Sequence, residues 1–568
     1  MKTLLVAINS KYIHTALGIR SLAAYSRKRG HQVNILEESI NTPILQTLIK
    51  ITEQMPEVVG FSVHIWNKQY VYQLLGLVRQ VLPQVVLVVG GPEVMFDPER
   101  VSREAPSVNY VICGEGEQCL TELLVSLQNK LMLVEATVFK ILGRSQAGLP
   151  AVVTDLSSLG FPYPDLEQIV QEHKICYYEC TRGCPFHCSY CLSGISHSVR
   201  RRPQEMVIAD LKRFLDAGVP LVKFVDRTYN LDEDYYLPIL AYLAAADTKA
   251  TFHLEIKADL LTQRALDFFS KAPKGRFQME VGVQTTNPET LRAIGRDNDW
   301  PKLAENVKLL LAGANMHLHL DLIAGLPYED LQSFANSFNA VYALRPHMLQ
   351  LGFLKVLPGT VMAGKAEEYG VVHMPEPPYE VLATKFLGYE EMVLLKILSD
   401  VFDLTYNSNL FKQTLNFLVT KEKQGPFSFY RKLTEWWRQQ KLFGSGHSAS
   451  HTAELLYKFA SATYPEDEDI EAVREVLRFD ILLRQKNWQP SWLGWHSEKN
   501  YEVSSKFWRD ELAVRQYLPE FCFKNWRLLK QQYALEEFDI NPLTFKQEKC
   551  WILVDYANFK TQKINLFS

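Results

Sequence analysis

From Met1 to about Leu149, short β-branched runs alternate in strict order with amphipathic stretches: "KTLLVAIN", "QVNILEE", "VVGFSVH", "VVLVVGGPE" and "NYVICGEGE", separated by segments such as "TALGIRSLAAYSRKRG". Strands joined through helices run parallel, and their helices must cover both faces of the sheet. The order therefore predicts a doubly wound, flavodoxin-like α/β sheet, which binds ligands beyond the carboxyl ends of its strands. A turn-rich linker follows over about 150–175, and then the pattern starts again. "ICYYE", "LVKFVD", "FHLEI", "FQMEVGVQ", "HLHLDLIAG" and "MLQLGFLKV" alternate with helical stretches. Six such units predict a partial (β/α)6 TIM-like barrel, with its chemistry at the C-terminal ends of the strands.

A chain of 568 residues exceeds what one core organises, and the reading divides it at 1–150, 151–375 and 376–568. The last part is mixed and mostly helical, and holds eight of the ten tryptophans. Its "EWWRQQK" and "FCFKNWRLLK" offer aromatics beside cations, as single-stranded nucleic acid needs. From residue 401, however, 23 Lys and Arg meet 21 Asp and Glu, and the whole chain carries a net charge of −3. The balance favours tryptophans in a core over a nucleic-acid face. No run reaches the roughly 20 apolar residues that cross a bilayer, and the short apolar start reads as a strand rather than a leader. A cytoplasmic protein is expected.

Two strand ends of the first series carry glycine turns, Gly90-Gly91-Pro92-Glu93 and Gly114-Glu115-Gly116-Glu117. Paired glycines let a bulky ligand lie on the backbone. No G-x-G-x-x-G opens a helix there, which disfavours a dinucleotide. In the second series Asp226, Glu255, Glu280, Gln284 and Asp321 fall within or just after strands, where a plain core is apolar; several on one rim indicate a site.

Five of the nine cysteines, Cys176, Cys180, Cys184, Cys188 and Cys191, lie within 16 residues. Such clustering in a large chain favours a metal or redox site over a disulfide framework. Cys184, Cys188 and Cys191 are spaced C-x3-C-x2-C after the first barrel strand. Three thiolates hold three irons of a [4Fe-4S] cluster and leave the fourth open, whereas a zinc site needs further ligands at a spacing that is missing. Cys180 and Tyr229 are weak candidates for a direct role, since a free cysteine and a strand-end tyrosine usually pack.

The C-x3-C-x2-C with Tyr190 before its last cysteine, in this barrel context, resembles the radical S-adenosylmethionine (SAM) superfamily. "EVGVQTTNPETLRAIGR" and "DLIAGLPYED" are similar to segments of such enzymes. The resemblance implies that Cys184, Cys188 and Cys191 ligate the cluster and that SAM on the open iron is cleaved to a 5′-deoxyadenosyl radical. It implies SAM contacts at Tyr190, Glu255, Gln284, Arg296 and Asp321, and at Asp226, although the usual "GGE" of the second strand is absent. An α/β domain with "VGGPE" and "CGEGE" before the barrel is similar to the cobalamin-binding branch. Cobalamin is then expected over Gly90, Gly91, Pro92 and Glu93 and beside Gly114, Glu115, Gly116 and Glu117, with Ser62, Val63, Asn9, Tyr12 and Thr15 completing its bed. The D-x-H-x-x-G that supplies a lower axial histidine is missing, and His14 reads as a loop residue. The implied activity is methylation of an unactivated carbon of a small molecule, peptide or RNA, or a cobalamin-assisted rearrangement or cyclisation. An external electron donor such as flavodoxin or ferredoxin is implied. A non-catalytic iron-sulfur electron carrier is the alternative from another class.

Overall fold

The computed structural model describes residues 1–129, 140–142, 152–195, 198–444, 446–484, 488, 490–493, 495, 498–519, 529, 532–556 and 560–564. The chain divides into two compact units, Met1–Met392 and Val393–Ser568.

The first unit opens with β1 (Thr3–Asn9), α1 (Leu17–Arg27), β2 (Val33–Ser39), α2 (Ile44–Glu53), β3 (Val58–Ser62), α3 (Lys68–Val81), β4 (Val86–Gly90), α4 (Pro98–Glu104), β5 (Tyr110–Ile112), α5 (Gly116–Gln128) and β6 (Lys140–Leu142). The six strands form one parallel sheet in the order β2-β1-β3-β4-β5-β6. This is the flavodoxin-like order with a sixth strand added. Because β1 is buried along its whole length, its alternate side chains feed two cores. Leu4, Val6 and Ile8 pack with Val71, Leu74 and Val78; Leu5 and Ala7 pack with Ile19, Ala23 and Leu124. A run apolar on both faces is what a sheet covered by helices on both sides requires.

The second layer follows α6 (Leu166–Gln171): β7 (Cys176–Tyr178), a hairpin of β8 (Thr181–Arg182) and β9 (Arg200–Arg201), α7 (Gln204–Asp216), β10 (Leu221–Phe224), α8 (Glu233–Ala245), β11 (Thr251–Ile256), α9 (Gln263–Ser270), β12 (Phe277–Gln284), α10 (Pro288–Ala293), α11 (Trp300–Ala312), β13 (His317–Ala324), α12 (Leu331–Tyr342) and β14 (Met348–Phe353). Six strands pair in parallel as β14-β13-β12-β11-β10-β7. On β12 the buried Phe277, Met279, Val281 and Val283 alternate with half-buried Gln278, Glu280, Gly282 and Gln284; on β13 buried leucines alternate with His317, His319 and Asp321. One face packs on helices and the other is polar, so the inner wall is built for a site rather than for packing. The two layers are tied by the loop after β1. His14 pairs with Ile175, and the Thr15 hydroxyl donates to the Ile175 carbonyl at 2.8 Å.

The second unit contains α15 (Lys412–Thr420), α16 (Pro426–Gln439), α17 (Ala449–Thr463), α18 (Asp467–Arg484), α19 (Glu498–Arg509) and α20 (Glu511–Tyr517), after a helix α14 (Tyr389–Phe402) whose start lies in the first unit. It also has an antiparallel sheet of β17 (Tyr533–Phe538), β18 (Cys550–Asp555) and β19 (Lys560–Ile564); the first unit ends with α13 (Val361–Lys365) and a separate short antiparallel pair, β15 (Val372–His373) and β16 (Val381–Ala383). Trp437 of "EWWRQQK" is buried against His447, as a core residue is; all of "FCFKNWRLLK" except Leu529 lies outside the described residues. Among the described residues no helix is long and apolar enough to cross a membrane.

Candidate functional site

A cavity of about 200 Å³ opens at the C-terminal ends of the barrel strands. The loop after β7 brings Cys184, Cys188, Cys191 and Tyr190 to it; β11 supplies Glu255 and Lys257, β12 supplies Glu280, Gly282 and Gln284, β13 supplies Asp321, and Arg296 comes from beyond α10. The three cysteines are free thiols, Cys184 and Cys188 buried and Cys191 half-buried. The hydroxyl of Thr228 lies 3.9 Å from Cys184 Sγ, and Arg296 Nη1 lies 3.6 Å from Cys188 Sγ. Burial raises the Cys184 thiol above its usual value, and the Thr228 hydroxyl acts against that rise.

Asp226 explains how the cysteine loop starts. Its carboxylate accepts from the amides of Cys180 (3.0 Å) and Thr181 (2.6 Å) and from the Thr181 hydroxyl (2.7 Å). It is fully buried and is not among the residues that line the cavity, unlike Tyr190, Glu255, Gln284, Arg296 and Asp321. The side chain is spent on two backbone amides and turned into the protein. Burial pushes its carboxyl up to about 7 against those donors. The two weak candidates for a direct role are buried as well. Cys180 is enclosed, its thiol raised by burial, and Tyr229 packs among Phe224 and Tyr236; neither lines the cysteine cavity.

Gln284 is aimed by its backbone. The β12–β13 register slips between Gly282 and Gln284, and Gln284 has φ +69°. A bulge of this kind re-aims a side chain at a strain of about 1–3 kcal/mol. Gly282 leaves room for that side chain, since a Cβ there would lie 2.3 Å from Gln284 Nε2 and move it. Arg296 Nη2 donates to the Gly282 carbonyl. Gln284 Oε1 and Arg296 Nε are buried without a hydrogen-bond partner among the described residues. Orphaned polar atoms facing one cavity await a polar ligand. Deeper in the barrel, His253 Nε2 lies 3.3 Å from Glu280 and His319 Nε2 lies 3.0 Å from Asp321. Burial lowers the His319 imidazole, but Asp321 and Glu280 outweigh it and raise it above its usual value.

A larger cavity, about 590 Å³, lies at the C-terminal ends of β1, β3, β4 and β5, at the switch point between β1 and β3 where such sheets take ligands. Asn9, Thr15, Ser62, Gly90, Gly91, Pro92, Gly114, Glu115, Gly116 and Glu117 line it, as the sequence suggested. Three expected residues do not. Tyr12 is exposed, Val63 is buried in the core of the sheet, and Glu93 turns inward to accept from the Tyr379 hydroxyl beside Lys68. Gly91 has φ +111°, and a Cβ there would meet the Val63 carbonyl oxygen at 2.7 Å, so only glycine fits. The carboxylates of Glu115 and Glu117 are engaged by arginines of the hairpin: Glu115 by Arg182 and Arg200, Glu117 by Arg182. Against the cost of burial, Arg182 holds Glu117 below the usual carboxylate range.

The sequence reading missed several lining groups. His64 stacks on Trp66 with centroids 4.3 Å apart and shares a 2.9 Å hydrogen bond with the Ser62 hydroxyl. Burial pushes His64 down to about 4, so it is neutral at neutral pH. "SVHIW" carried a signal, a histidine and a tryptophan just past a strand end. His14, Arg182, Arg227, Thr228 and Lys257 had none beyond their loops.

Family models match the two halves of this geometry: the B12 binding domain over residues 3–124 and the Radical SAM superfamily over 178–341. The chain carries a B12 binding domain followed by a Radical SAM domain. A third model, Protein of unknown function (DUF4080), matches 367–554. Relatives of this radical SAM protein include an uncharacterised methyltransferase of Pyrococcus horikoshii, 23% identical over 61% of this chain and 76% of that one. The cobalamin-dependent radical SAM methyltransferase TokK of Streptomyces tokunonensis is 24% identical over 57% of this chain, which spans 51% of TokK. Among solved structures, the cobalamin-dependent SAM radical enzyme OxsB shares the fold with a TM-score of 0.57 at 17% identity, covering 85% of this chain and 80% of OxsB. Solved structures of this fold hold such groups: TsrM of Kitasatospora setae has cobalamin and a [4Fe-4S] cluster bound, and OxsB has aqua-cobalamin and SAM bound. The residues present suit them, with three free thiols on one loop, orphaned polar atoms beside them, and a separate cavity floored by glycine turns.

Proposed function

We propose that this radical SAM enzyme methylates an unactivated carbon. The observation that supports the reading most is that the two cavities lie side by side in one compact unit, both lined by Arg227. Bound there, the cluster and SAM supply a carbon radical able to take hydrogen from an unactivated C–H, and cobalamin supplies the methyl group. In this reading Cys184, Cys188 and Cys191 hold the cluster, with Arg296 and Thr228 stabilising thiolate charge. Tyr190, Glu255, Gln284, Arg296 and Asp321 hold SAM. The glycine turns of β4 and β5, with Asn9, Thr15 and Ser62, form the bed for the corrin. The protein's own contribution is to fix the reacting carbon between the two sites and keep water out. A flavodoxin or ferredoxin serves as electron donor in the cytoplasm.

The test is anaerobic reconstitution with iron, sulfide and hydroxocobalamin, followed by SAM labelled in its methyl group. Expected are retained corrin, release of 5′-deoxyadenosine, and label carried into product. Cleavage of SAM without movement of label into any product sinks methyl transfer and leaves rearrangement or cyclisation. Undiminished cleavage by the Cys188→Ala protein sinks the cluster assignment.

A further inference from the structure

We propose that Arg227 is the anchor for an anionic group of the substrate, a carboxylate or a phosphate, held at the junction of the two cavities. The proposal rests on the methyl-transfer reading and names a substrate class for it. Arg227 follows Asp226 in the loop after β10. Asp226 is pulled inward by the amides of Cys180 and Thr181, and Arg227 opens the turn over 227–230 that follows it. Arg227 is accordingly exposed, and it lines both the glycine-floored cavity and the cysteine cavity.

Its neighbours of the same type are all engaged. Arg182 faces Glu115, Glu117 and Glu179, Arg200 faces Glu115, and Arg296 donates to the Gly282 carbonyl and faces Cys188. Among the described residues Arg227 has no ion pair or hydrogen bond. Glu255 in the smaller cavity feels its charge, which opposes the rise that burial gives that carboxyl. A guanidinium presents a planar fork that matches a carboxylate or phosphate in a bidentate pair. A carbon that must face both cofactors is best fixed by a contact at their shared wall, and Arg227 is the cation at that wall with its fork open.

The experiment uses the full chain loaded with cluster and hydroxocobalamin. Phenylglyoxal modification of Arg227 is followed by peptide mass spectrometry, alone and with inorganic phosphate or with acetate as probe. Arg227→Gln and Arg227→Lys are compared for corrin retention and SAM affinity. Protection of Arg227 by about threefold or more from one probe is expected, as a bidentate pair requires, with corrin and SAM binding kept in both variants. Protection by phosphate assigns a phosphate ester, and protection by acetate a carboxylate. If wild-type protein holds corrin and cleaves SAM but neither probe protects, the proposal is overturned alone. A tenfold loss of SAM affinity in Arg227→Gln overturns it by giving the fork to SAM, and loss of corrin by giving it to cobalamin. Wild-type protein that neither holds corrin nor cleaves SAM overturns the parent reading and this one with it.

Discussion

Asp226 and Gln284 carry opposite lessons about single residues. Both stand at barrel strand ends in the sequence, and both were expected at SAM. Gln284 lines the cavity because a bulge and a positive φ turn it there. Asp226 is taken by two amides and a hydroxyl of the next loop. Nothing in a one-dimensional pattern reports which way a strand-end side chain is pulled, since the donors lie 45 and 46 residues away. Removing the carboxylate frees those amides inside the protein. Asp226→Ala is expected to lower stability by about 2–4 kcal/mol, the range for deserting buried donors of a charged group, and to lower iron bound per chain. The folded carboxyl, at about 7, lies above its unfolded value, so the folded state holds the extra proton. The stability this group contributes is complete at low pH and is lost as pH rises through 7. The penalty of Asp226→Asn should therefore be larger at pH 5 than at pH 8. Denaturant midpoints of the two proteins at both values check this, and a penalty that grows with pH contradicts it.

At the scale of elements, the two parallel sheets were legible because each strand announces itself as a β-branched run and each crossover as an amphipathic stretch. The sheet at the chain's end was missed. In β18 both faces are buried: Trp551 and Leu553 join one cluster, and Cys550, Ile552 and Val554 another. Such a two-sided run has no period that separates it from a buried helix. The same unit shows a cap supplied from another helix. Asp480 of α18 accepts from the amides of Gln413 (3.1 Å) and Thr414 (2.8 Å) at the start of α15, whose own preceding residue, Phe411, offers no side-chain cap. Asp480→Ala should destabilise by about 1–3 kcal/mol, as loss of a buried cap does. The loss should be read by slower-labelling amides of α15 becoming exchangeable; unchanged exchange at Gln413 and Thr414 would contradict the cap. In the first sheet, Gly91→Ala places a Cβ 2.7 Å from the Val63 carbonyl. Corrin retention should fail in that protein, because the ends of β3 and β4 must part to admit the methyl group.

For the whole molecule, the legible part was the order of the layers, and the part that was not is which face of each loop meets a cavity. A ligand seated across four strand ends couples elements that otherwise touch only their neighbours in the sheet. Cobalamin bound to the folded state alone stabilises it by RT ln(1 + [L]/Kd), about 2.7 kcal/mol at a hundredfold excess over Kd. The cavity assigned to it is built by β1, β3, β4 and β5, with Trp66 and His64 at one edge, within Met1–Met392. Hydroxocobalamin should therefore raise the unfolding midpoint and slow amide exchange at the ends of those strands and around Trp66. Helices α15 to α18, which belong to Val393–Ser568, contribute no residue to the cavity and should keep their exchange rates. Exchange slowed equally in both units would show that the corrin is held elsewhere than on the first sheet. Slowing confined to β1, β3, β4 and β5 would place it there, with the glycine turns as its floor.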